Sequence, residues 1–363
     1  MKLSDILKKD NNNIDLFRVI AACMVIYGHA YALSPQLGKS DFIARLLPPD
    51  YSGSLAVKIF FFLSGLVVTN SLMNKGDLVH FTISRLFRIW PALIISSLIT
   101  AFILGPLLTS LSITDYLSHA EVYSYTWNIT TMTPQFSLPG LFTSNPYPNV
   151  VNGSLWTIPY EVFAYVMLFG LYATGLLNSK KLSILLFGMI LIEPFLSSKV
   201  LYPWLVTNPP AELLSPCFAF GAIMALHRDD IDIKISHCLG FAVLYYLFIG
   251  TVYAPYFAYA CIFLSLLYIS SCKSVLRLKP KADISYGVYL WGFPVQQIVA
   301  SHFKDYGVHF NQIATLIIAL IFGYLSWHLC EKRFIRYGSA LSSFIKKGKI
   351  PSIAIPGNRD LGV

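Results

Sequence analysis

The sequence predicts an all-α integral membrane protein: a bundle of about ten transmembrane helices with a long extracytoplasmic loop after the third. Three observations predict it. Of 363 residues, 55% are hydrophobic and only 12% are charged, against about 25% charged in a soluble domain. Apolar runs approaching the ~20 residues needed to cross a bilayer recur at 14–33, 54–72, 89–109, 154–177, 182–198, 211–226, 238–253, 255–271, 284–302 and 312–331. The basic residues also alternate between the joins. With the N-terminus in the cytoplasm, 22 of the 27 Lys and Arg fall inside, and only Lys39, Arg45, Lys58, Lys199 and Lys304 fall outside. Cytoplasmic loops of membrane proteins carry that bias, which accounts for the net charge of +9 without invoking nucleic acid.

The first run contains FRVIAACMVIYGHA at 17–30, which sets Arg18 and His29 inside an otherwise apolar helix. Eleven residues at ~100° each bring the two to within about 20° on one face, about 16 Å apart along the axis. Asp15, three residues before Arg18, can pair with it. A charge facing lipid costs a few kcal/mol, so this face is expected to line a polar cavity. Snorkelling to the headgroups explains Arg18 alone, and an interhelical hydrogen bond explains His29 alone; one face carrying both favours the cavity. Lys8 and Lys9 before the run and Ala30-Tyr31-Ala32 at its end imitate a signal peptide. Arg18 interrupts that pattern, and the run is long enough to span.

The stretch HFTISRLFRIWP, 80–91, places Arg85 and Arg88 three residues apart at the cytoplasmic entrance of the third run. Paired guanidiniums suit phosphate; a topology anchor is the competing reading. The loop that follows, 110–153, has no Lys or Arg and holds Tyr116, Tyr123, Tyr125, Trp127, Phe136, Phe142 and Tyr147. Long ordered loops are usually functional. An uncharged aromatic surface suits stacking on sugar rings, or forms an interfacial aromatic belt.

The fourth run opens with NGSLWTIPYEVFAY, 152–165. Glu161 then lies ~10 Å below the outer surface and His29 ~6 Å below it. If the two helices are neighbours, the pair meets at one level, where the carboxylate would orient the imidazole. A structural carboxylate–arginine or carboxylate–histidine pair is the plain alternative. The runs at 211–226, 238–253 and 255–271 are short enough to be re-entrant or tilted, and the joins near Pro203, Pro209, Pro210 and Pro255 leave their limits open. The six cysteines are scattered with no C-x-x-C pair and read as small buried apolar residues; no disulfide framework or metal site is indicated. Residues 1–340 are expected to form one transmembrane domain and 341–363 a short, disordered cytoplasmic tail.

Four landmarks stand in order: Arg18 with ten residues before His29, FFFLSG at 60–65, RLFR at 85–88 followed by IWP, and SLWTIPYE at 154–161. Late in the chain come ISYGVYLWGFPV at 284–295 and EKRF at 331–334. This ordered set resembles the integral-membrane acyltransferase family three, the O-acetyltransferases of surface polysaccharides, over nearly the whole chain. The resemblance implies an acyl-CoA donor, acetyl-CoA foremost, used from the cytoplasm without a metal. It implies a carbohydrate acceptor, either a surface polysaccharide or its lipid-linked precursor. It implies a bacterial inner membrane location with both termini cytoplasmic. His29 would be the catalytic residue with Glu161 assisting, Arg18, Arg85 and Arg88 would engage the donor, and Trp156 and Ser64 would contact substrate. Gly292 stands where the family often has His, so that position carries no assigned role. No further folded domain follows, so a single-module member is expected.

Two chemical routes fit. In one, His29 takes the hydroxyl proton as the sugar oxygen attacks the acyl carbon; in the other, Ser64 or His29 carries the acyl group first. The competing class is a transporter or flippase for lipid-linked sugars, with His29 and Glu161 as a proton relay. Against it, the sequence shows no inverted repeat and no paired broken helices. The enzyme reading expects one water-filled shaft, cationic at its base, with an imidazole near its far end.

Overall fold

The computed structural model describes residues 1–48, 50–196 and 211–347. Among these, the β-type pairing is an isolated bridge between Lys2 and Asp232, and the rest of the regular structure is helical. The long helices are α1 (Ile14–Leu33), α2 (Ser52–Lys75), α3 (Leu78–Ile99), α4 (Ile158–Ala173), α5 (Lys180–Ile192), α6 (Leu214–Leu226), α7 (Ile235–Leu247), α8 (Ala254–Ser270), α9 (Ser285–His302), α10 (Gly307–Ser326) and α11 (Lys332–Lys347).

A helix stands at each of the ten expected positions, and the protein is a helical membrane protein. The described residues contain five stretches long and apolar enough to cross a bilayer: Ile14–Leu33, Ser52–Lys75, Leu78–Leu108, Gly153–Ala173 and Lys304–Lys346. Helices α5, α6 and α7 have 13 residues each, which is about 20 Å of helix against a ~30 Å hydrocarbon core. Ten full spans are therefore not established by helix length. The end of the fifth run, Lys199 and the joins at Pro203, Pro209 and Pro210 lie outside the described residues. So does 348–363; the first part of the expected tail is helical, since α11 continues to Lys347 and packs on α3, with Ser342 Oγ 2.9 Å from His80 Nδ1.

Helix α2 is the spine, buried along most of its length. Glycines let its neighbours approach. A Cβ on Gly65 would lie 2.1 Å from the Phe218 carbonyl oxygen of α6, and one on Gly28 of α1 would lie 2.5 Å from the Gly53 nitrogen of α2. Gly292 on α9 faces α1 in the same way, its Cβ direction closed by Ile26 at 2.9 Å. Gly76, at φ 59°, ends α2, and the Asp77 side chain accepts the His80 amide to start α3. The third helix thus begins eleven residues before its apolar run, and Arg85 and Arg88 lie inside it rather than at its end.

Prolines and unusual turns explain how the outer loop is held. Directly after α3, Thr100–Leu104 is a π-turn in which the Gly105 amide reaches back five residues to the Thr100 carbonyl. The next residue, Pro106, has no N–H to offer Ala101, and the Tyr116 hydroxyl donates to that carbonyl instead, at 2.7 Å. In α9, Pro294 leaves the Leu290 carbonyl without its helical donor, and the Asn152 side-chain amide fills the place at 2.9 Å. Gln297 donates to the Tyr147 and Val150 carbonyls at 2.8 and 2.6 Å. The loop is therefore fastened to α3 at one end and to α9 at the other. Of its seven aromatics, Tyr116 and Tyr125 are fully buried packing residues, while Tyr123 and Trp127 are exposed.

Candidate active site

Two chambers occupy the bundle between α1, α2, α4 and α9. The one nearer the Arg85 end has about 180 Å³ and is lined by Arg18, Ser64, Arg85, Arg88, Glu161 and Tyr165, with Phe60, Thr157, Tyr286 and Tyr289 among its walls. The one nearer the long loop has about 470 Å³ and is lined by His29, Asp41, Tyr51, Tyr147, Trp156 and Phe293. They share no lining residue.

In the first chamber, charge is arranged unevenly. Arg88 donates to Asp283 at 2.7 Å and to Glu331 at 3.0 Å, and Arg18 reaches the same Asp283 oxygen at 3.2 Å. Burial pushes the Asp283 carboxyl up, but the Arg18 and Arg88 guanidiniums outweigh it and hold the carboxyl well below the usual carboxylate range. The π-turn Trp327–Glu331 aims Glu331 into this cluster, with Ser326 Oγ donating to it at 2.8 Å. Such single-turn bulges are common at functional sites. Two guanidiniums are thus matched by two carboxylates. Arg85 has no ion pair among the described residues; its guanidinium lies over the Tyr165 ring, 5.7 Å from the centroid. Tyr165 donates to Glu161 at 2.5 Å and sits 2.7 Å from Ser64 Oγ, which is 3.5 Å from the same Glu161 oxygen.

In the second chamber, the His29 ring packs edge-on against Phe293, with centroids 5.4 Å apart, and 6.2 Å from Tyr51. Its Nδ1 is buried and has no partner among the described residues. The carboxylate that lines this chamber, Asp41, is already bonded to the Ser52 hydroxyl and to the amides of Ile43, Ala44 and Ser52. Trp156 faces the same space and meets Tyr160 edge-on at 5.7 Å.

The structure brings Arg18, Arg85, Arg88, Glu161 and Ser64 together, and His29 with Trp156, but it keeps the two groups apart. Glu161 does not meet His29. Its carboxylate faces Ser64 of α2 and is bonded to Tyr165, and the 3₁₀ turn Gly153–Thr157 adds a further ~0.5 Å per residue of depth over α-helical rise. Arg18 pairs with Asp283 rather than Asp15, because α9 packs on α1 and brings that carboxylate alongside. The single shaft is replaced by two compartments. Sequence reasoning missed Tyr165, Asp283, Glu331 and Tyr289. Tyr165 stands four residues from Glu161 and so on its face, and Glu331 is an acid ending an apolar run, itself a signal; Asp283 had no such mark.

No solved structure matches the chain. An O-acetyl transferase of Shigella phage Sf6 is 31% identical over 336 residues, covering 91% of this chain and 97% of the relative. Nodulation protein 10 of Rhizobium leguminosarum bv. viciae is 30% identical over 168 residues, 43% of each chain. The model of the acyltransferase domain family Acyl_transf_3 matches residues 11–329. The chain belongs to that family and is an integral-membrane acyltransferase.

Proposed function

We propose that the protein is an O-acyltransferase of the bacterial inner membrane, moving an acetyl or similarly small acyl group from cytoplasmic acyl-CoA to a hydroxyl of a surface carbohydrate or its lipid-linked precursor. The observation that carries this reading is the pair of chambers, one with a guanidinium that has no carboxylate partner among the described residues and one with an imidazole whose Nδ1 has no hydrogen-bond partner among them. The loop charges support an orientation with both termini in the cytoplasm and the Arg85 chamber on that side.

The inner chamber suits the donor. Arg85 is free to take a phosphate or thioester oxygen, and Arg18 and Arg88 frame the entrance through Asp283 and Glu331. A volume of about 180 Å³ is below that of a pocket for a drug-sized ligand, ~300–1,000 Å³, so it takes the acyl-thioester end and leaves the nucleotide at the mouth. Bound acyl-CoA supplies the activated acyl group. The outer chamber suits a sugar: Trp156, Tyr51 and Tyr147 offer ring faces, and His29 offers a nitrogen to receive a hydroxyl proton. The acceptor oxygen gains the acyl carbon, the carbon–sulfur bond breaks, and the proton ends on the departing sulfur by way of His29. Glu161 is a positioning residue of the inner chamber, acting through Tyr165 and Ser64. The transport reading needs Glu161 and His29 on one proton path, and the two stand in separate chambers.

Purified protein incubated with labelled acetyl-CoA and a saccharide acceptor tests the reading. Label on the saccharide with stoichiometric CoA release is expected; neither signal, from folded protein and a panel of saccharides, would overturn it.

A further inference from the structure

Resting on the acyl-transfer reading above, we propose that Tyr289 and Thr157 form the passage between the two chambers, and that this passage selects the acyl group by size. Four elements contribute to both compartments. Helix α1 gives Arg18 to the inner and His29 to the outer; the segment 153–165 gives Thr157, Glu161 and Tyr165 to the inner and Gly153 and Trp156 to the outer; α9 gives Tyr286 and Tyr289 to the inner and Phe293 to the outer; Tyr51, next to α2, faces outward while Phe60 and Ser64 face inward. On α9 the change of side occurs between Tyr289 and Phe293, one turn apart, which is about 6 Å of rise. A barrier that thin is within reach of a short acyl thioester, and the nucleotide need not cross it.

The barrier has few parts. The Tyr289 hydroxyl donates to the Ser154 carbonyl at 2.6 Å and lies 2.6 Å from Thr157 Oγ1. The Phe60 ring stands edge-on to Tyr289, with centroids 6.0 Å apart. The backbone around these side chains is fixed, because Asn152 is bonded to α9 at Leu290 and Gln297 holds the loop at Tyr147 and Val150. What can yield is the Tyr289 side chain and its contact with Thr157. The Ser154 hydroxyl, on the same turn, is buried without a partner among the described residues. Unpaired buried hydroxyls are uncommon, and this one offers a hydrogen bond to a thioester oxygen that lies in the barrier or to the Tyr289 hydroxyl once displaced.

An acetyl group passes between Phe60, Tyr289 and Thr157 with one small displacement; each added methylene must be accommodated against two aromatic rings. A hydrophobic pocket discriminates by ~10–200-fold per methylene, so a passage of this kind favours acetyl over butyryl donors strongly.

The test compares kcat/KM for acetyl-CoA and butyryl-CoA, with one saccharide acceptor, in wild type, Tyr289→Leu and Thr157→Ala, each checked for folding by size exclusion and thermal melting. Wild type is expected to prefer acetyl. The preference should fall by about tenfold or more in Tyr289→Leu, on the per-methylene scale, and by a smaller factor in Thr157→Ala, with acetyl transfer retained in both. An unchanged ratio in either folded variant overturns the proposal, as does loss of all transfer from a folded variant, because widening a passage does not close it. Thr157→Ala decides alone if Tyr289→Leu does not fold. Absence of acyl transfer in wild type would instead remove the enzyme reading on which the proposal rests.

Discussion

His29 and Glu161 stand on opposite sides of the Gly153–Thr157 turn: Glu161 is bonded to Tyr165 beside Arg85, while His29 packs against Phe293 in the outer chamber. The imidazole proposed as the base and the guanidinium proposed to bind the donor are therefore separate, and their substitutions should fail in different ways.

His29→Ala should cut transfer severely while leaving the protein inserted and folded. General-base groups contribute about 10²–10⁴-fold, so residual turnover should drop by that factor with donor affinity unchanged. Donor-dependent CoA release and donor binding, measured on the same preparation, check both halves.

Arg85 and Arg88 should separate. Arg85→Ala removes an unpaired cation, so the donor KM should rise by about tenfold or more at low salt, the scale of one charged hydrogen bond, and the difference should shrink as salt increases. Arg88→Ala leaves Glu331 in the bundle without its cation and Asp283 held by Arg18 alone, and breaking a buried pair costs about 3–5 kcal/mol. Thermal melting in detergent should show a large loss for Arg88→Ala and a small one for Arg85→Ala. Equal melting temperatures would make the Arg88 cluster a surface-like contact.

Asp283 gives a pH prediction. Its carboxyl is held below the usual range in the folded protein, so the stability it contributes is complete above the unfolded carboxylate value, near 4, and is lost as pH falls through the lower folded value. Asp283→Asn should therefore melt earlier than wild type by an amount that is constant from pH 8 to pH 5 and narrows only below the carboxylate range. A gap that closes between pH 8 and 5 would contradict the ion-pair assignment.

Asn152 and Pro294 should be coupled. Asn152→Ala leaves the Leu290 carbonyl buried and unpaired, at about 1–3 kcal/mol, and frees the turn that carries Trp156 and Thr157. Replacing Pro294 with Ala in the same chain restores a helical N–H to that carbonyl. A double-mutant cycle in thermal stability should show the second change recovering most of the first loss; strict additivity would mean that the two sites do not communicate.

Much of the fold was legible because it depends on one-dimensional signals. Apolar length and loop charge located a helix at each expected position, and Arg18 with His29 on one face of α1 marked a polar interior. Azimuth and neighbours were not legible: nothing in the sequence said that α9 brings Asp283 to Arg18, or that Glu161 turns toward α2 and α3. The 3₁₀ turn at 153–157 and the π-turn at 327–331 altered rise and facing in ways that a uniform helical count misses. The aromatic loop was half misleading, since Tyr116 and Tyr125 serve packing and Tyr147 alone of the seven lines the outer chamber.

The most direct measurement uses sealed vesicles carrying the protein in one orientation, with labelled acetyl-CoA on the Arg85 side and a saccharide acceptor on the His29 side. Wild type should place label on the saccharide across the membrane, His29→Ala should not, and donor supplied on the His29 side should give none. Label transferred only when donor and acceptor share one side would contradict a two-chamber enzyme.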